Sequence, residues 1–218
     1  MTTAAHRTFF LPGPAGRLEA LLWTPARDGG VIAAVVCHPH PLFGGTLHNK
    51  VVYQVAKTFN QLQAPVLRFN FRGAGLSGGK HDEGRGEQDD VRAAIEFLAK
   101  EYSGRPLLLA GFSFGAFVGL RVGCSDTRVA AVAGLGLPVN RSDVSYLQQC
   151  AKPKLVIQGS EDQFGSRAAV EALAADMPEP KRVVFIEGAE HFFAGKLDQV
   201  GAALRTWLTE LYPDLESL

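Results

Sequence analysis

The segment Gly111-Phe112-Ser113-Phe114-Gly115 is where residue types and spacing most directly suggest chemistry. A serine hydroxyl attacks a carbonyl only when a base within hydrogen-bond reach accepts its proton. Glycines two residues to either side permit a sharp, strained turn in which bulkier neighbours would collide. The apolar run 107–112 suits a strand, and 114–122 suits a helix. Such a turn lifts the hydroxyl above the sheet edge and points the free N–H groups of the helix's first turn at the reacting carbonyl. The chemistry this predicts is nucleophilic acyl transfer. Ser113 is the nucleophile, and the backbone N–H of Phe114 is one of two donors to the developing oxyanion.

The base must be one of six histidines, at positions 6, 38, 40, 48, 81 and 191. His191 follows the strand-like run 182–186 in Gly188-Ala189-Glu190-His191-Phe192-Phe193. It therefore belongs at the C-terminal end of a strand, where open α/β sheets collect their ligand sites. His6 precedes the first strand and His81 lies in a glycine-rich loop, so neither fits as well. The acid is expected after the strand 155–158, in Gly159-Ser160-Glu161-Asp162-Gln163-Phe164. Adjacent side chains diverge, so only one carboxylate can face the histidine. Asp162 is the expected acid and Glu161 the alternative. The resulting order along the chain is serine, aspartate, histidine.

A second donor to the oxyanion should come from His38-Pro39-His40-Pro41-Leu42-Phe43-Gly44-Gly45, which follows the strand 31–37. Proline has no N–H, so His40 or Leu42 must donate, and His40 is favoured. His38 and His40 do not read as a metal site, because no matching ligand cluster accompanies them. Gly73-Ala74-Gly75-Leu76-Ser77-Gly78 satisfies a dinucleotide-binding pattern, yet further glycines delay the following helix to about residue 87. No acidic residue ends a following strand at the required distance. Lys80 is followed by His81 rather than by serine or threonine, so a phosphate loop fails as well. No cofactor and no metal are expected.

The elements that must position these residues alternate between short apolar runs and helical patterns, which predicts an α/β fold. Strands are expected at 8–11, 18–23, 31–37, 66–71, 107–112, 129–137, 155–158 and 182–186. Helices are expected at 50–62, 87–102, 114–122, 167–177 and 196–212, with a shorter one at 142–150. Residues 1–218 read as a single domain without repeats or linkers. The composition is that of an ordinary globular protein, 46% hydrophobic and 20% charged. Basic and acidic residues balance at 22 each, so no global field favours nucleic acid or an anionic membrane. The segment 1–10 lacks the pattern of a signal peptide. Cys37, Cys124 and Cys150 are widely spaced, and their odd number suggests reduced thiols in a cytoplasmic protein.

Taken together, these motifs resemble the α/β-hydrolase superfamily over nearly the whole chain. The resemblance rests on His38-Pro39-His40-Pro41, on Asn70-Phe71-Arg72-Gly73-Ala74-Gly75-Leu76-Ser77, on the turn at Ser113 and on the loops at Asp162 and His191. It is strongest toward small, capless bacterial hydrolases related to dienelactone hydrolases and short-chain carboxylesterases. Two features depart from those relatives. Dienelactone hydrolases carry cysteine where this chain has Ser113, and Pro39 stands where a glycine is common in the oxyanion loop. The resemblance implies a mostly parallel eight-stranded sheet flanked by helices, with its second strand antiparallel. Larger members insert a helical cap after the sixth strand, whereas residues 138–154 leave room for one short helix.

The expected activity is hydrolysis of short-chain carboxylic esters through an acyl-enzyme, with a small-molecule acyl substrate and no nucleic-acid or membrane partner. Thioesterase, peptidase or acyltransferase chemistry would use the same three residues. A non-catalytic binding protein on the same scaffold would need none of them. The cleft is expected to be shallow, walled by loops 38–45, 72–86 and 141–150. Phe43, Phe164, Phe192 and Phe193 are candidates for its apolar lining.

Overall fold

The structure is a computed structural model that describes residues 5–25 and 30–216. The first four residues of the segment read as lacking a leader pattern lie outside the described residues. In chain order the strands and helices are β1 (Ala5–Gly13), β2 (Gly16–Thr24), β3 (Ala33–Cys37), α1 (Lys50–Gln61) and β4 (Val66–Phe69). They continue with α2 (Gly86–Glu101), β5 (Leu107–Phe112), α3 (Phe114–Ser125), β6 (Val129–Leu135) and β7 (Lys154–Gly159). The last are α4 (Arg167–Asp176), β8 (Lys181–Ile186) and α5 (Leu197–Leu211). Short 3₁₀ turns occupy Pro41–Phe43, Ser145–Gln149 and Pro213–Glu216.

All eight strands form one sheet in the order β1-β2-β4-β3-β5-β6-β7-β8. β2 runs antiparallel to both β1 and β4, while every other neighbouring pair is parallel. The central strands are buried on both faces, which is why they read as continuous apolar runs rather than alternating ones. Successive side chains of β3 and β5 still serve opposite layers. Ala33, Val35, Cys37, Leu107 and Leu109 pack with α2, α3 and α4. Ala34, Val36, Leu108, Ala110 and Phe112 pack with α1 and α5 on the other face. The amphipathic stripe Val51, Val52, Val55 and Phe59 of α1 is fully buried there.

The boundaries differ from the sequence expectation where backbone geometry intervenes. β4 stops at Phe69, because the Ser77 hydroxyl accepts the Glu19 N–H and donates to the Asn70 carbonyl, taking the place of the next ladder bond, and Asn70 and Phe71 then support the loops above the strand. β6 stops at Leu135, since Gly136 adopts a φ of +54° that no extended strand accommodates. α3 continues past residue 122 to Ser125, and the short helix expected at 142–150 is a 3₁₀ turn. Between β6 and β7 there is no helical cap. Cys124 and Cys150, distant in sequence, come together beneath this crossing, and the Cys124 thiol beside it lowers the Cys150 thiol from its ordinary value. Among the described residues no helix is long and apolar enough to cross a membrane.

Candidate active site

Ser113 sits between β5 and α3 with a φ of +56° and a ψ of −119°, a conformation that L residues rarely hold. The surroundings enforce it. Its N–H pairs with the Leu135 carbonyl at 2.9 Å, and its carbonyl accepts the Phe117 N–H at 2.9 Å. A Cβ at Gly115 would lie 2.5 Å from the carbonyl oxygens of both Cys37 and His38, so only glycine lets α3 start this close to the end of β3. The serine hydroxyl is half-buried at the resulting edge.

His191 reaches the hydroxyl from the loop after β8. Its Nε2 lies 2.9 Å from Ser113 Oγ, and its Nδ1 lies 2.7 Å from Asp162 Oδ2. Both His191 and Asp162 are 3% exposed. The imidazole is boxed by aromatic rings, with centroids of Phe164, Phe112 and Phe192 at 4.6, 5.1 and 5.2 Å. Asp162 is held in turn by Gln158 Nε2 on Oδ2 and by the Phe164 N–H on Oδ1, each at 2.8 Å. With a carboxylate on Nδ1, that nitrogen carries the proton, and Nε2 is left as the acceptor facing the serine. Glu161, the alternative acid, is exposed.

The loop after β3 lies on the other side of the serine. The ring nitrogen Nδ1 of His40 accepts the Leu42 N–H at 3.3 Å. That occupies the competing donor, whereas the His40 N–H has no acceptor among the described residues. The Phe114 N–H opens α3 and has no intrahelical acceptor. His38, completely buried, accepts the Phe71 N–H on Nε2 at 2.9 Å. Its Nδ1 must therefore carry the proton, and donates it to the Pro39 carbonyl at 2.6 Å. That carbonyl belongs to the same peptide unit as the His40 N–H, so His38 sets the direction of this donor. Burial lowers the His38 pKa to about 4, consistent with a permanently neutral ring. Both ring nitrogens are engaged with the backbone, which argues against a metal ligand.

These loops enclose a cavity of about 520 Å³ that reaches Ser113 and His191. Phe43, Phe114, Phe164 and Phe192 supply apolar walls, and Asn49 and Arg141 supply polar groups. Phe193 does not line it. That ring is fully buried in the core beneath, turned inward by a φ of +53°. The loop 72–86 does not line the cavity either. It forms a second layer, in which the His81 ring packs at a tilt against His40 and Phe114, at 4.7 and 5.4 Å between centroids. Of the stretch 141–150, only Arg141 and Ser142 reach the cavity. The residues that sequence reasoning missed are Gln158 and the supporting role of His38. The signal for Gln158 was present, as one polar residue ending an otherwise apolar strand.

Residues 36–211 match the family described as an alpha/beta hydrolase domain. An uncharacterised protein of Rickettsia prowazekii is 33% identical, over 91% of this chain and 87% of its own. A solved structure described as an alpha-beta serine hydrolase homologue from Coxiella burnetii is 36% identical, covers 92% of this chain and 96% of its own, and superposes with a TM-score of 0.87. Another, from Xanthomonas campestris, is described as an a/b serine hydrolase without lid. It is 36% identical, covers 98% of this chain and 97% of its own, and gives a TM-score of 0.88. With the strand order, the lidless crossing from β6 to β7 and the strained serine turn already in view, the chain belongs to the α/β-hydrolase family.

Proposed function

We propose that this protein is a serine hydrolase that cleaves carboxylic esters with short acyl groups through an acyl-enzyme. The observation that carries this reading is the position of His191, within hydrogen-bond distance of Ser113 Oγ on one nitrogen and of the Asp162 carboxylate on the other. In this reading Ser113 Oγ bonds to the ester carbonyl carbon as His191 Nε2 takes its proton. The carbonyl oxygen becomes an oxyanion facing the N–H groups of His40 and Phe114. Collapse of the tetrahedral species expels the alcohol, which receives the proton from His191. Water then enters, gives up a proton to His191 and attacks the acyl carbon, releasing the acid and restoring Ser113. Asp162 remains ionised throughout and stabilises the imidazolium.

The aromatic walls suit an apolar body of substrate, and the open mouth admits the water that deacylation needs. Phe43 at the rim is 86% exposed. Easy water entry favours hydrolysis over transfer of the acyl group to another acceptor. The reading is tested with a fluorophosphonate probe and p-nitrophenyl acetate. Wild-type protein should label covalently at Ser113 and turn over the ester. Ser113→Ala should abolish labelling and lower turnover by several orders of magnitude while keeping the fold. Near-normal hydrolysis by the alanine variant would overturn it.

A further inference from the structure

Among the described residues, Arg141 is the one that lines the cavity with a permanent formal charge. No carboxylate lies within ion-pair distance of it among the described residues. The nearest acid in sequence, Asp143, is engaged with Arg121 at 3.6 Å and with the Ser145 N–H at 3.0 Å. The Arg141 guanidinium rests 6.0 Å from the centroid of Phe164, the ring that packs on His191. Its backbone is fixed by the same network that holds the acid. Arg141 N–H pairs with the Pro138 carbonyl, and the adjacent Asn140 N–H pairs with the Phe164 carbonyl. Gln158 ties the turn's base at Leu137 to Asp162. The guanidinium is thus an unneutralised cation on a rigid turn beside the reacting centre. β3 and β6 are the sheet neighbours of β5, so this turn and the His40 loop flank Ser113 from either side.

We propose that Arg141 makes the cleft selective for esters that carry a carboxylate as well as an apolar body. The proposal rests on the hydrolase reading and names its substrate class. A guanidinium offers paired N–H donors that match a carboxylate, and the aromatic walls would hold the rest of the molecule. Arg141 is exposed, so solvent screens the attraction, and the expected discrimination is about tenfold.

Two matched pairs of probes separate the possible positions of the charge. For the acyl side, p-nitrophenyl hemiadipate is compared with its methyl ester. For the alcohol side, 4-acetoxybenzoate is compared with methyl 4-acetoxybenzoate. In wild-type protein the anionic member of at least one pair should have the higher kcat/KM. The ratio within that pair should fall about tenfold in Arg141→Gln, fall only part of the way in Arg141→Lys, which keeps the charge but not the paired donors, and invert in Arg141→Glu. Binding of 4-acetamidobenzoate against 4-acetamidobenzamide, followed by calorimetry, reads the same preference without turnover. A protein that binds the benzoate through Arg141 but cleaves no ester would sink the hydrolase reading and spare the anion site. Ratios and affinities unchanged in Arg141→Gln, or a wild-type preference for the neutral probes, would overturn the proposal.

Discussion

Gln158 and His191 meet the same oxygen of Asp162, at 2.8 Å through Nε2 and 2.7 Å through Nδ1. The glutamine also donates to the Gly165 carbonyl at 2.9 Å and accepts the Leu137 N–H at 2.8 Å. One buried amide at the end of β7 therefore fixes the acid, the turn that follows it and the end of β6. Gln158→Met keeps the volume but removes all of these bonds. The buried partners left unsatisfied should cost about 1–3 kcal/mol of stability. We expect kcat to fall about tenfold with KM little changed, because the substrate does not touch Gln158. Chemical denaturation and steady-state kinetics check the two parts separately. Full activity in a destabilised variant would show that the glutamine only supports the fold.

The adjacent acids Glu161 and Asp162 are separated by their environments. Asp162 is buried and bonded to His191, while Glu161 is exposed. Asp162→Asn should lower kcat on the order of 10⁴-fold, since an amide can hold the wrong imidazole tautomer. Glu161→Gln should stay within about threefold of wild type, as surface changes away from buried networks usually do. Steady-state kinetics on one ester decides it, and a more damaging Glu161 change would exchange the two roles.

His38 gives a pH dependence of stability with a definite sign. Its folded pKa is lowered to about 4 from an ordinary 6.5, chiefly by burial. Between those values the unfolded chain binds a proton that the folded protein refuses. Stability is thus complete above about pH 6.5 and declines as the pH falls toward 4. At about 1.4 kcal/mol per pH unit, the loss approaches 3 kcal/mol at the acid end. Protonation at Nε2 would also set an N–H against the Phe71 N–H and lose that hydrogen bond. In His38→Gln, which cannot titrate, the curve of unfolding free energy against pH should be flatter by that amount. Parallel curves for the two proteins would mean that His38 accepts its proton without cost to the fold.

The three residues that the structure brings together were legible in the sequence because each follows a short apolar run that reads as a strand. Ser113, Asp162 and His191 follow the ends of β5, β7 and β8, and strand ends are where a parallel sheet exposes its loops. The eight-stranded sheet and its antiparallel second strand came only through family resemblance, and the strand order was not read, since alternating strands and helices do not say which strands are neighbours. What stayed hidden depends on contacts across the chain. His38 draws its role from Phe71, and Cys124 finds Cys150 although 25 residues follow it before that partner (150 − 124 − 1). Phe192 and Phe193 look equivalent in sequence, yet one borders the cleft and the other fills the core. Only the left-handed backbone at Phe193 separates them, and no local pattern announces it.

The cleft should also set a limit on acyl length. The crossing from β6 to β7 carries a 3₁₀ turn and no cap, so among the described residues no inserted element covers the cavity from above. Two of its aromatic walls, Phe43 and Phe192, are 86% and 53% exposed, and a chain lying against them would remain largely wet. A fully buried methylene contributes only about 0.8 kcal/mol, and a half-exposed one contributes correspondingly less. The first few carbons can pack against Phe114 and Phe164 near Ser113, whereas later ones run out over the rim. For p-nitrophenyl esters, kcat/KM should therefore rise from acetyl toward butyryl and then level off or fall by octanoyl. Measuring the series below the critical micelle concentration of the longer esters checks this. A steady increase out to dodecanoyl would require an enclosed acyl tunnel, and the open rim at Phe43 and Phe192 would then have to close over the bound chain.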